Sequence, residues 1–380
     1  MTTTVQTQAY YLESIERFIN DIIAPKVVET DRAGVYPRAA LQAMGKAGLL
    51  GLISSKEVGG LGFAHRAAVE VVERIGNACA STGMVVCMHY AGTAVIEAYG
   101  QRETREAIAR GEHVTTLAFS ESGSRSHFWA PLSTATKTAN GIQLDAKKSW
   151  ATSAGQADSY VWSSKPLAAE GASSIWLVPM NAVGLSIKAP FDGMGMRGNF
   201  SSPVTADGVI VDENALLGED GKGFDVMMGV VLPYFQLMNA GVSLGITDSA
   251  IQKSVQHLTT TKLEHLNQAL NESPTNRAYL AKMKIKADML RTLLYDTVSA
   301  LENRREDAML RVLQIKAAAG ETATEVTDLA MRICGGSAFR KEVGVERNFR
   351  DARASTVMAP TADVLYDFIG KALTGMPLFG

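Results

Sequence analysis

Ser133-Thr134-Ala135-Thr136-Lys137, then Asn140-Gly141, then Ile142-Gln143-Leu144-Asp145 is the stretch on which the fold turns. β-Branched and alternating residues flank an Asn-Gly pair, a strong hairpin signal because both residues accept the positive φ angles of a two-residue turn. Further runs of the same texture follow at the spacing of a small barrel or sandwich: Ser159-Tyr160-Val161-Trp162, Ser174-Ile175-Trp176-Leu177-Val178, Leu185-Ser186-Ile187 and Val209-Ile210-Val211. The segment 115–222 reads as a β domain.

On both sides the hydrophobic period changes to three and four. Upstream, Ile15-Phe18-Ile19-Ile22 and Leu41-Met44-Leu49 mark helices, broken by Pro25, Pro37 and Gly59-Gly60-Leu61-Gly62. Downstream of Gly221-Lys222-Gly223, long helices are expected over 224–258, 276–302 and 308–331, with a last one from Thr361. The chain divides into helical residues 1–114, β residues 115–222 and helical residues 223–380, a β domain set between two helical bundles.

At 380 residues, with 46% apolar and 20% charged side chains and a net charge of -2, the chain has core enough for several domains and no basic surplus for nucleic acid. Three cysteines without C-x-x-C spacing argue against a disulfide framework or a structural zinc site. The six histidines never fall at ligand spacing with carboxylates, so no metal is expected. Residues 1–10 lack a signal-peptide pattern and no apolar run approaches the length of a membrane span. A cytoplasmic protein without a membrane partner is the expectation.

Two segments carry chemistry. In Lys148-Ser149-Trp150-Ala151-Thr152-Ser153 an indole and a hydroxyl alternate, so that on a strand both share one face, a surface suited to a planar redox ring or to a β core. Ser120-Glu121-Ser122-Gly123-Ser124-Arg125-Ser126-His127 is a hydroxyl-dense turn able to direct N–H and O–H groups at an anionic or carbonyl-rich ligand. Gly193-Met194-Gly195-Met196-Arg197-Gly198 lacks nucleotide-loop spacing and reads as a tight turn.

In this order the segments resemble the acyl-CoA dehydrogenase superfamily of flavoproteins from about residue 12 to 375. Ser120-Glu121-Ser122 ending in Arg125-Ser126-His127 is similar to the family's Thr-Glu-Pro segment ending in Gly-Ser-Asp. Lys148-Ser149-Trp150-Ala151-Thr152 is similar to its Lys-x-Trp-x-Thr strand. Gly195 to Ser201, Val211 to Gly218, Gly335-Gly336 and Arg350-Asp351-Ala352 match later family elements. The resemblance implies an α+β multidomain fold: an N-terminal α-helical domain, a central β-barrel and a C-terminal four-helix bundle. It also implies FAD between the last two and across a subunit contact, in a homodimer or homotetramer.

By the same resemblance Phe119, Ser120 and Ser126 would line the flavin, Trp150 would pack on it and Thr152 would bond near its N5. Gly335, Gly336 and Thr361 would meet the cofactor's far end, with Arg332 replacing a lost phosphate contact. Ser126, Arg197 and Gln236 would contact the substrate, an acyl-CoA or acyl-carrier thioester. The catalytic glutamate of ordinary members corresponds to Ala359, followed by Pro360, and the alternative glutamate position in the helix after the β domain corresponds to Tyr234-Phe235-Gln236. His127, Tyr234 and Asp363 are the replacement bases to weigh. Three functions follow from the resemblance: α,β-dehydrogenation of an acyl thioester with a displaced base, passing electrons to an electron-transfer flavoprotein; oxygenation of a CoA-bound ring using O2; or non-catalytic flavin or acyl-CoA binding.

Overall fold

The computed structural model describes residues 2–124 and 127–379. Six helices come first: α1 (Thr2–Phe18), α2 (Ala24–Arg32), α3 (Arg38–Lys46), α4 (His65–Ala78), α5 (Ala80–Tyr99) and α6 (Arg102–Ala109). α5 is built from small and apolar residues on every face and is buried almost throughout, so it is the axis on which this part packs.

Strands β1 (Thr115–Ala118), β2 (Thr134–Thr138), β3 (Gly141–Ala151), β4 (Ser159–Ser164), β5 (Ser174–Pro179), β6 (Leu185–Ile187) and β7 (Ser202–Val211) follow. The Asn-Gly pair closes the β2–β3 hairpin, with Thr138 opposite Gly141. The strands form two sheets, β1-β4-β5 and β2-β3-β7-β6, rather than one closed ring. Both contribute to a single core, Tyr160, Trp162 and Trp176 meeting Leu144, Val204 and Val209. β1 pairs in parallel with β4, and the crossover connection that such pairing needs carries the β2–β3 hairpin of the other sheet.

The C-terminal part comprises α7 (Gly223–Val226), α8 (Leu232–Thr260), α9 (Pro274–Glu302), α10 (Ala308–Cys334), α11 (Val345–Val357) and α12 (Ala362–Thr374). A small hairpin, β8 (Lys262–Leu263) with β9 (Gln268–Ala269), links α8 to α9. Helix α11 was not expected; its residues read as a charged signature because Glu346, Arg347, Arg350, Asp351 and Arg353 interrupt the apolar period. The continuous helix 223–260 is long and apolar enough by composition to cross a membrane, contrary to expectation. Its most apolar window is 72% buried inside the protein, which makes it a core helix. Pro233 cannot donate to the carbonyl four residues back, and a π turn over Met227–Val231 precedes it.

The three parts meet at one loop. Gly195 lies against the backbone of Arg350, where an added Cβ would stand 2.6 Å from its carbonyl, and Gly198 lies against Thr30 at 2.2 Å on the same construction. Asp351 accepts the Met196 N–H at 2.6 Å, while Arg350 donates to Asp31 at 2.6 and 2.8 Å, to Glu346 at 2.5 Å and to the Met194 carbonyl at 2.9 Å. Burial alone would raise the Asp31 carboxyl, yet the Arg350 bonds hold it below its ordinary value. Asp351 has no such ion pair among the described residues, and burial pushes its carboxyl up to about 6.

A carboxyl raised in the folded state from 3.8 to about 6 stabilises the fold at low pH and loses that contribution as pH rises through 6. Asp351→Asn keeps an acceptor for the Met196 N–H and removes the ionisation. The variant is expected to gain on the order of 3 kcal/mol over the parent at pH 8 and little at pH 4, read by urea unfolding at both. Equal differences at the two pH values would contradict the assignment.

Candidate functional site

Where the three parts meet, a cleft of about 810 Å³ opens. One wall starts at the end of β3. The pairing of β3 with β7 slips between Lys148 and Ala151, and Trp150 there takes a left-handed φ of 58°. The strand therefore does not present Trp150 and Thr152 by simple alternation, as its sequence suggests: the bulge turns the indole out, 59% exposed, while Thr152 stays buried. Both still line the cleft. The Trp150 ring packs on Phe191, centroids 4.0 Å apart, and Thr152 Oγ1 lies 3.4 Å from Ser201 Oγ. Ser153, Met196 and Phe200 also have positive φ, so four strained non-glycine residues cluster at this corner, each costing about 1–3 kcal/mol. Such strain persists where the surroundings over-determine it. Here Tyr36 donates to Ser153 Oγ at 3.0 Å, and the Ser153 N–H donates to the Asn199 carbonyl at 2.9 Å.

Behind this wall Lys148 Nζ and Glu121 Oε1 form a buried pair at 2.6 Å. Glu121 also accepts the Leu132 and Ser133 N–H groups at 2.5 and 3.1 Å and the Ser133 hydroxyl. Lys148 donates further to the Ser163 carbonyl at 2.7 Å and its hydroxyl at 2.9 Å. Burial would raise Glu121, but the ammonium and these donors outweigh it and hold the carboxyl low; burial pushes Lys148 down to about 8. The pair ties the loop after β1, which carries Ser120 and Phe128 into the cleft, to the strand that carries Trp150.

The opposite wall is apolar: Met84 and Met88 of α5, Leu232 and Phe235 of α8, and Val357 and Met358 at the end of α11. The segment from Ala359 to Thr361 closes it. A flat ring fits the first wall, where the Trp150 face, the Thr152 hydroxyl and Ser120 stand together, and the volume leaves room for an acyl chain beside it. The donor set thus suits FAD.

Of the residues singled out from sequence, the fold brings Phe119, Ser120, His127, Trp150, Thr152, Arg197, Ala359 and Thr361 into this cleft. Ser126 lies outside the described residues. Tyr234 is not on the wall: its ring stacks on His65 with centroids 3.9 Å apart, and burial pushes its hydroxyl up to about 12, which makes it a poor base. Its neighbour Phe235 faces the cleft instead. Asp363 is exposed in the first turn of α12. Gln236 is wholly buried, with neither amide atom hydrogen-bonded among the described residues. Arg197 lines the cleft, but its donors go to the Asp31 carbonyl at 2.8 Å, the Gly193 carbonyl at 3.0 Å and Asp192.

Arg332, 62% exposed and 3.5 Å from Asp328, stands with Gly335 and Gly336 at the end of α10, away from the cleft wall. Both glycines have open space where a Cβ would be. Sequence reasoning missed Phe191 and Met196, whose loop has no periodic signal, and the Glu121–Lys148 pair, whose members are 27 residues apart.

Glu121→Gln leaves a buried ammonium without a counter-ion and is expected to cost about 3–5 kcal/mol. Adding Lys148→Met should recover most of it. Urea unfolding of both variants checks this, and a double variant no better than the single would refute the coupling.

Comparison with known proteins agrees with this architecture. Residues 6–111, 116–209 and 221–374 match the N-terminal, middle and C-terminal domains of acyl-CoA dehydrogenase. The chain is 26% identical over 369 residues to the human mitochondrial short-chain specific acyl-CoA dehydrogenase, covering 94% of this chain and 88% of that one. It is also 26% identical over 380 residues to cyclohex-1-ene-1-carbonyl-CoA dehydrogenase of Syntrophus aciditrophicus, covering 98% and 91%. The butyryl-CoA dehydrogenase structure from Megasphaera elsdenii shares the fold at a TM-score of 0.90 and 22% identity, over 97% of this chain and 98% of that one. The chain belongs to the acyl-CoA dehydrogenase family of FAD-dependent oxidoreductases.

Proposed function

We propose that the protein oxidises an acyl thioester, carried on CoA or a carrier protein, between its α and β carbons, and that the α-proton leaves without a carboxylate at position 359. One observation carries the reading: the ring-binding wall and the apolar acyl wall face each other across a floor whose residues, Met358-Ala359-Pro360-Thr361, hold no proton acceptor of carboxylate type. Both curated relatives named above act, by name, on acyl-CoA esters.

Three ionisable side chains line the cleft among the described residues: Glu121, His127 and Arg197. Glu121 is committed to Lys148, and Arg197 to Asp192 and two carbonyls. His127 remains. Its backbone is held by bonds to Ser124 and Ala130, and its ring stands edge-on to Trp129 at 5.1 Å. In this reading the neutral imidazole takes the proton from Cα, becoming imidazolium, while the Cα–H electron pair forms the new double bond as Cβ–H breaks. Bound on the Trp150 side, FAD would supply the acceptor for the β-hydrogen and its two electrons. Met84, Met88, Leu232 and Phe235 exclude water from the chain, and Trp150 and Thr152 hold the ring side.

Trp150→Ala and Thr152→Ala should each weaken FAD by roughly 1–3 kcal/mol, through loss of an aromatic wall and of a hydrogen bond. Equilibrium titration of apoprotein reads this, and unchanged affinity in both would refute the cofactor placement. His127→Gln should lower thioester oxidation and α-hydrogen exchange in deuterated water together, by about 10²–10⁴-fold. Retention of both rates would remove His127 from the reaction.

A further inference from the structure

Lys316 of α10 is 1% exposed and has no carboxylate partner among the described residues. Its Nζ instead donates to three carbonyls, those of Ser355 at 2.9 Å, Met358 at 2.9 Å and Pro360 at 2.8 Å. These are the last turn of α11 and the bend leading to α12, the stretch in which Val357, Met358, Ala359, Pro360 and Thr361 face the cleft. Carbonyls at a helix C-terminus have no intrahelical donor, and an ammonium supplies three donors from one point. From the other side Asn239 of α8, fully buried, accepts the Ser355 hydroxyl at 2.6 Å and donates to Met358 Sδ at 3.4 Å. Five bonds from two buried side chains thus converge on the segment that forms the floor.

A buried cation that served only to fill space would be replaced to advantage by methionine, since desolvating it is costly. Burial does press the amine down, to about 7, with no neighbouring charge to oppose it. The three-carbonyl geometry is what this cost obtains.

We propose that Lys316, braced by Asn239, is a positioning residue for the thioester oxidation: it fixes the 355–361 backbone as the rigid floor against which cofactor and acyl group are seated. The inference rests on the cleft being the cofactor and thioester site, and it is independent of which group takes the α-proton.

Amide hydrogen exchange and FAD affinity test it without turnover, so failure of the His127 assignment leaves the result intact. Lys316→Met and Lys316→Arg are compared with the parent, the arginine variant because its planar fork keeps the charge but cannot aim three donors at one point's worth of carbonyls. Both variants are expected to exchange amides in 355–361 at least tenfold faster, with α9 unchanged, and to bind FAD at least fivefold more weakly. Unchanged exchange in that segment, an equal rise through α8, α9 and α10, parent-like behaviour of Lys316→Arg, or undiminished FAD affinity would each overturn the proposal. Should Lys316→Met fail to fold, Asn239→Ala is read by the same two measurements, with the same localised pattern expected and the same results against it.

Discussion

The double contact of Arg350 with Asp31 and of Asp351 with the Met196 N–H is the constraint on which the cleft depends. Asp31 belongs to the N-terminal helices, Met196 to the β domain and Arg350 and Asp351 to the C-terminal bundle, so two adjacent side chains on α11 seam all three parts together. The cleft is what remains open beside that seam. Arg197 reinforces it by capping carbonyls at the end of α2, a helix terminus whose acceptors would otherwise lack donors. Arg350-Asp351, which the sequence offers only as a match to a family element, is architecture here: it ties the three parts together beside the cleft.

The walls themselves are kept rigid by charges placed behind them. Lys148 with Glu121 backs the ring side, and Lys316 backs the floor, each an ammonium buried with complete sets of acceptors. Inside the cleft this leaves few ionisable groups without a committed partner among the described residues. The left-handed backbone at Trp150, Ser153, Met196 and Phe200 belongs to the same economy of order: strain that local sequence would not choose is held by neighbours and spent on presenting an indole and a hydroxyl together.

Much of this is legible in the amino-acid sequence. The Asn-Gly hairpin, the change of hydrophobic period at both ends of the β segment and the long downstream helices all rest on local signals, and the structure has them at those places. Cleft residues in contiguous motifs, such as Ser120 and Trp150, were legible for the same reason. What failed was orientation. Tyr234 and Phe235 are neighbours on one helix, yet only Phe235 faces the cleft, because successive side chains on a helix point about 100° apart and the sequence does not say which of the two is turned inward. Alternation likewise misplaced Trp150 relative to Thr152, since a bulge carries no mark in the residues that form it. Long-range pairs such as Arg350 with Asp31, 319 residues apart, had no local signal at all.

If this cleft oxidises an acyl thioester with no carboxylate at position 359, the flavin itself should report it. The decisive measurement is anaerobic titration of the FAD-loaded protein with a panel of acyl-CoA esters, followed through the flavin absorbance before oxygen is admitted. At least one ester alone should bleach the flavin, with the α,β-unsaturated thioester as product. Flavin that bleaches only with an external reductant and then delivers oxygen into the product would rule this chemistry out.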